Sequence, residues 1–239
     1  MSDRPQKTEE DHLAEARAAL LSAALPQVAF DGWSTACFSA AVADSGVEGA
    51  LARLACPRGA LDLAIYYHRR GDSNMLARMD SEGFASLRYS EKVAALVRFR
   101  LEAAEDVEAV RRGVTLFAMP SHAAEGTALI WETSNLIWKA LGDTSADLNW
   151  YTKRAILSAV YSATLLFWLG DDSDGHQATW EFLDRRIGNV MQFERTKGSV
   201  TNTLIFKGFM RGPGKVLERI RAPEGRGRAD LPGHLTQKS

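Results

Sequence analysis

Residues 155–169 read AILSAVYSATLLFWL, the most apolar stretch of the chain. A bilayer-spanning helix needs ~20 consecutive apolar residues. This run is shorter and carries Ser158, Ser162 and Thr164. It therefore reads as a buried central helix, and the rest of the sequence agrees with an all-α fold. Only 7 prolines and long alanine- and leucine-rich stretches argue against a β-sandwich or barrel. No segment reads as a strand, and no internal repeat is visible. With 46% hydrophobic and 25% charged residues among 239, disorder over most of the length is excluded. Two cysteines, Cys37 and Cys56, cannot form a disulfide framework or a four-thiolate zinc site. They read as small buried thiols.

Start and stop signals divide the chain into about nine helices. Leu20, Leu21, Ala24, Leu25 and Val28 fall at helical spacing, in a first helix that stops at Gly32. Ser34 or Thr35 caps a short second helix over 36–43, and Asp44-Ser45-Gly46 turns the chain. A third short helix over 47–55 is stopped by Pro57. Short helix, glycine turn, short helix is the helix-turn-helix pattern. The fourth helix starts at Arg58, passes Tyr66, Tyr67 and His68, and breaks near Gly71-Asp72. Further helices start at Ser90-Glu91, end at Met119-Pro120, and cover 123–141 and 147–169. The next begins at Asp174-Gly175 and carries a stripe of Trp180, Leu183, Ile187 and Val190. That stripe either pairs with a second copy in a homodimer or faces its own core. The resulting division is a polar tail over 1–12, a helix-turn-helix part over 13–70, a helical body over 71–196 and a basic segment over 197–239.

Net charge is −1, yet the total hides an asymmetry. From Arg195 onward ten Lys/Arg oppose three Asp/Glu, a local +7; the remainder carries −8. A basic tail on an acidic body suits an anionic surface, such as a membrane or nucleic acid. A last helix over 199–211 places Leu204, Ile205, Phe206, Phe209 and Met210 beside Lys207 and Arg211. This composition suits a helix lying on a membrane, or one docked on the body.

Several catalytic motifs come near and fail. Gly208 to Lys215 has the wrong glycine spacing for a phosphate loop, and Val216 replaces its hydroxyl residue. Asp171-Asp172-Ser173-Asp174-Gly175 lacks the ligand register of a calcium loop, whose twelfth position would be Phe182. Gly32-Trp33-Ser34-Thr35-Ala36 follows a helix and lacks the second glycine of a nucleophile elbow. None of the five histidines pairs with another His or Cys at metal-ligand spacing. No nucleophile and base stand together, so no enzyme, metal or cofactor is expected. Two apolar groupings remain. Trp150 and Tyr151 open a helix with Asp147 as its cap and Arg154 one turn on, which is either an interface anchor or core. Leu116, Phe117, Met119, Ile130, Leu136 and Ile137 either line a cavity or fill a plain core.

Residues 19–25, Gly32-Trp33-Ser34 and Val42-Ala43 to Gly46 resemble the helix-turn-helix of TetR-type regulators. Asp147-Leu148-Asn149-Trp150-Tyr151-Thr152-Lys153-Arg154-Ala155 resembles the signature of the coenzyme Q nine family, accessory proteins of ubiquinone biosynthesis. Thr179-Trp180-Glu181-Phe182-Leu183-Asp184-Arg185-Arg186-Ile187 supports it at the expected distance. The resemblance implies a TetR-like bundle that binds an isoprenoid quinone lipid in its core and ends in an amphipathic helix touching an anionic membrane. It also implies a partner, the di-iron hydroxylase of demethoxyubiquinone, met by Asn149, Trp150, Tyr151 and Thr152 with Arg154 beside them. The family's apolar pocket is carried over only as a region. Gly208 and Gly212-Pro213-Gly214 interrupt the final helix, which departs from the family pattern.

The leading expectation is a non-enzymatic lipid-binding accessory that presents quinone precursors to the hydroxylase. The alternatives are a TetR-type transcriptional regulator and, more remotely, an enzyme with an unseen site. DNA binding is not expected, because residues 47–55 offer one Glu, one Arg and otherwise small or apolar side chains. The likeness begins almost at the first residue, with no presequence before it. This gives the expectation of a bacterial cytoplasmic protein, peripheral on the inner membrane.

Overall fold

The computed structural model describes residues 8–145 and 148–200, and these contain nine α-helices and no strand. α1 (Glu9–Asp31) starts at Thr8, whose hydroxyl accepts from the Asp11 amide while the Asp11 carboxylate accepts from the Thr8 amide. It buries Ala16, Leu20, Leu21, Ala24 and Val28 on one face and ends at Gly32, φ 63°. α2 (Thr35–Ser45) takes Ser34 as its cap and ends at Gly46, which is left-handed with φ 71°. α3 (Gly49–Ala55) completes the helix-turn-helix. Two long-range bonds fasten this unit to the rest. Trp33 Nε1 donates to Ala109 O at 3.1 Å, and Arg112 Nη2 to Ala29 O at 2.8 Å.

α4 (Ala60–Ala77), α5 (Tyr89–Glu102), α6 (Val107–Ala118), α7 (Ala123–Ala140), α8 (Leu148–Trp168) and α9 (Gln177–Val200) follow. The apolar interior has two centres. One joins α1, α2, α3, the start of α4 and α6 around Leu20, Leu21, Cys37 and Leu63. The other joins α5, α7, α8 and α9 around Leu96, Ile137, Leu157, Tyr161 and Leu183. α4 contributes Leu63 to the first and Met75 to the second.

The expected break near Gly71-Asp72 is absent, and the boundary at 70/71 falls inside α4. Tertiary contact accounts for the difference. A Cβ on Gly71 would stand 2.6 Å from Arg100 Nη1, so glycine is what lets α5 bring this side chain against α4. Asp72 is buried there as the partner of Arg100. The stripe on α9 also resolves toward its own core: Trp180, Leu183 and Ile187 are buried among α5 and α8 residues. It is therefore unavailable to a second copy; the Val190 side chain lies outside the described residues. The aspartate run before α9 is structural. Asp171 Oδ2 accepts from the Thr179 amide at 2.9 Å and from its hydroxyl at 2.5 Å, tying down the helix start.

Candidate functional site

A cavity of about 300 Å³ lies between α4, α5, α6, α7 and α8. Trp33, Phe117, Ile130, Leu165, Leu166 and Trp168 supply much of its apolar wall. Its width depends on a close approach of α6 and α7, where a Cβ on Gly126 would meet Phe117 Cβ at 2.7 Å. Two of the six residues expected at a cavity are there, Phe117 and Ile130. Leu116 packs in the first core and Ile137 in the second, while Met119 is 42% exposed just beyond α6. Leu136 is partly buried, away from the lining. Helical spacing marks which face is apolar but not whether the facing helices close over it. That is why a core stripe and a cavity wall look alike in sequence.

The polar part of the wall was not anticipated. Arg100 Nε donates to Asp72 Oδ1 at 2.6 Å, and Arg100 Nη2 to the His68 carbonyl at 2.9 Å. The Thr133 hydroxyl lies 2.9 Å from Asp72 Oδ1 and 2.9 Å from His68 Nε2. The Thr133 hydroxyl thus bridges Asp72 and His68, the imidazole tautomer setting which of the Thr133–His68 pair donates. Burial, and next the Arg100 charge, hold the His68 imidazole well below its usual range, so it is neutral at physiological pH. Burial pushes the Asp72 carboxyl up, and the guanidinium of Arg100 works against it. A signal was present in sequence: Arg100 interrupts the apolar stripe of Val93, Leu96, Val97 and Leu101.

The second feature is the first turn of α8. Trp150 and Tyr151 meet edge to face at 4.7 Å, and Trp131 of α7 joins them at 5.9 and 6.4 Å. Asn149 is exposed; Trp150, Tyr151 and Thr152 are partly buried. Arg154 belongs beneath this surface rather than on it, being only 1% exposed. Its guanidinium lies 4.0 Å from the Trp150 ring centre, and it donates to Asn135 Oδ1 (2.8 Å) and Asp143 Oδ2 (3.1 Å). Lys153 donates to Asp143 Oδ1 at 2.8 Å. Despite burial, donors from Lys153, Ser145 and Arg154 hold the Asp143 carboxyl down to about 2. The expected cap, Asp147, lies outside the described residues, as do Leu204, Ile205, Phe206, Phe209 and Met210.

Among the described residues no cluster of three His, Cys, Asp or Glu could hold a metal. No described helix is long and apolar enough to cross a membrane. The exposed face of α3 presents Ala50, Arg53 and Leu54.

Comparison with known proteins adds to this geometry. A family model described as COQ9 matches residues 123–194, which comprise α7, α8 and most of α9. The Homo sapiens "Ubiquinone biosynthesis protein COQ9, mitochondrial" is 26% identical over 213 residues, covering 84% of this chain and 66% of that protein. The probable coq9 protein of Dictyostelium discoideum is 25% identical, over 80% of this chain and 64% of its own. The Schizosaccharomyces pombe protein is 30% identical over 63% of this chain and 60% of its own. The chain thus spans only 60–66% of the length of these relatives. A crystal structure of a TetR transcriptional regulator from Nitrosomonas europaea ATCC 19718 superposes with a TM-score of 0.61 at 23% identity. It covers 73% of this chain and 97% of that one. The resemblance to the coenzyme Q nine family and the TetR-like fold are both borne out. The expected compartment is not. The relatives named here are mitochondrial proteins of eukaryotes, which overturns the reading of a bacterial cytoplasmic protein on an inner membrane. That reading rested on where the likeness begins, and a start point carries no information about compartment.

Proposed function

We propose, for a chain that resembles the coenzyme Q nine proteins over most of its length and folds like a TetR regulator, that it serves ubiquinone biosynthesis as a non-enzymatic, lipid-binding accessory. It takes an isoprenoid quinone precursor into the cavity and presents it to the di-iron hydroxylase that acts on demethoxyubiquinone. The aromatic turn around Asn149, Trp150 and Tyr151 is the docking surface for that enzyme. The observation that carries the reading is the apolar cavity of about 300 Å³, whose α7 and α8 walls lie within the segment matched by the family model. A polyprenyl chain resists transfer through water at ~0.8 kcal/mol per methylene, and an apolar cavity offsets that cost without catalytic groups. This volume is at the low end of ligand sites, roughly 300–1,000 Å³. It accommodates a head group and the nearest part of a tail, leaving the remainder in the bilayer.

Gentle extraction of the purified protein followed by mass spectrometry tests the reading. An isoprenoid quinone precursor at near-stoichiometric amount is the expected result. The superposition on a transcriptional regulator favours a second reading, a DNA-binding repressor with an apolar effector. A protein without isoprenoid that holds a specific duplex in the nanomolar range at physiological salt would establish that reading instead.

A further inference from the structure

The cavity has one polar corner, where α4, α5 and α8 meet. His68, Arg100 and Tyr161 line it, backed by Asp72 and Thr133. Arg100 is 6% exposed and Tyr161 1%. Replacing a buried ion pair by well-packed apolar residues is often neutral or stabilising, so such a pair is poor evidence of a purely structural role. Here the pair stands at the wall of the empty interior. Its charges compensate one another, Arg100 against Asp72 at 2.6 Å, and the imidazole of His68 is uncharged. The corner therefore offers hydrogen bonding without net charge. Tyr161 offers more, since its hydroxyl makes no hydrogen bond among the described residues although the side chain is buried. The hydroxyl opens onto the cavity rather than being sealed inside protein, so a ligand oxygen can reach it and supply the missing bond.

We infer that the corner formed by His68, Arg100 and Tyr161 recognises a neutral, oxygen-bearing ring such as a quinone, with Tyr161 donating to a ring oxygen. This rests on the lipid-binding reading above and gives that reading a head-group chemistry. A carboxylate head would bring a second negative charge to an arginine already neutralised by Asp72. A plain hydrocarbon would leave Tyr161 unsatisfied. Apolar lining residues that are also exposed mark where a tail would leave the cavity. Leu166, in the last turn of α8, lines the cavity and is also 60% exposed, and exposed Ala118 and Ala123 face the same space. The Arg70–Glu105 ion pair, at 2.8 Å, also borders the cavity.

Displacement of the hydrocarbon fluorophore 1,6-diphenylhexatriene from the full chain tests this with three probes of nearly equal chain length: decylubiquinone and decylbenzene, each with a ten-carbon tail, and decanoate, whose tenth carbon is the carboxyl. Decylubiquinone should displace the fluorophore at about tenfold lower concentration than either of the others. Tyr161→Phe should weaken decylubiquinone roughly three- to tenfold, the worth of one hydrogen bond, and leave decylbenzene unchanged. Its melting temperature should not fall, because no partner in the protein is lost. Decanoate binding as well as the quinone, a Tyr161→Phe effect equal on all probes or absent, or a lower melting temperature would each overturn the assignment. Those outcomes leave lipid binding intact. Failure of diphenylhexatriene and decylbenzene to bind at all would instead remove the lipid-binding reading, and this inference with it.

Discussion

Arg100 and Arg154 are both buried, but their carboxylate partners differ in how well they survive losing them. Asp143 retains Lys153 at 2.8 Å, whereas Asp72 retains only the Thr133 hydroxyl and a neutral imidazole. Removing one member of a buried pair costs about 3–5 kcal/mol when the other is left uncompensated. Arg100→Met should approach that loss and Arg154→Met should cost roughly half as much, measured by urea unfolding. Equal losses would contradict the pairing described. Acid should act through Asp143. Its folded carboxyl is held down to about 2, below the ordinary 3.8, so its stabilisation is complete above the ordinary value and lost as pH falls from 3.8 toward 2. Asp143→Asn should melt at a lower temperature than wild type at pH 6 and show a smaller further fall between pH 4 and 2. Trp150→Ala leaves both arginine–aspartate pairs in place, but it opens the aromatic turn and removes the ring that lies over the Arg154 guanidinium. On the proposed docking role it should weaken capture of the hydroxylase by ~2–4 kcal/mol, some thirty- to a thousandfold, with a modest loss of melting temperature. Undiminished capture would defeat that role. The four-residue spacing of Trp150 and Arg154 was legible in sequence, and the guanidinium does lie over the ring. Its burial was not, because Asn135 and Asp143 reach it from α7 and from the chain beyond it.

At the scale of helices, the sequence marked ends better than interiors. Gly32, Ser34, Gly46 and Pro57 act through their own backbone chemistry, and the helix-turn-helix followed with bounds shifted by one or two residues. The continuity of α4 through Gly71 was hidden, since it depends on a side chain from another helix filling the space above that glycine. Gly126 is the same device between α6 and α7. A Cβ there would approach Phe117 Cβ at 2.7 Å and the Phe117 carbonyl oxygen at 3.3 Å, and the latter belongs to backbone that cannot rotate away. Gly126→Ala must therefore move α6 from α7. The gain in helix propensity, about 1 kcal/mol, opposes an overpacking cost of about 1–3 kcal/mol. Net destabilisation in urea is expected, together with altered diphenylhexatriene binding, because Gly126 and Phe117 both line the cavity. A variant as stable as wild type with unchanged fluorophore binding would show that the two helices can separate freely.

For the whole molecule, the division of charge remains the largest feature that the packing does not use. Residues 1–194 carry −8 and residues 195–239 carry +7, nearly cancelling in the total. The fold class was legible from composition and helical spacing alone. The cavity was not, because its wall is drawn from five helices at once and has no local pattern. The basic segment stands apart from both, since beyond Val200 it lies outside the described residues and is argued from its sequence. Leu204, Ile205, Phe206, Phe209 and Met210 are interspersed with Lys207 and Arg211, and each basic residue near an anionic surface contributes about 1 kcal/mol. The acidic body would be repelled by the same surface, so binding should depend on the segment rather than on overall charge. The 239-residue chain should sediment with vesicles containing anionic lipid, bind less as salt rises, and ignore neutral vesicles. Removing residues 201–239 should abolish sedimentation while circular dichroism retains a helical body. If the shortened chain sediments equally, the anionic surface is met elsewhere, and the exposed apolar residues at the cavity mouth, Leu166 first, become the place to substitute next.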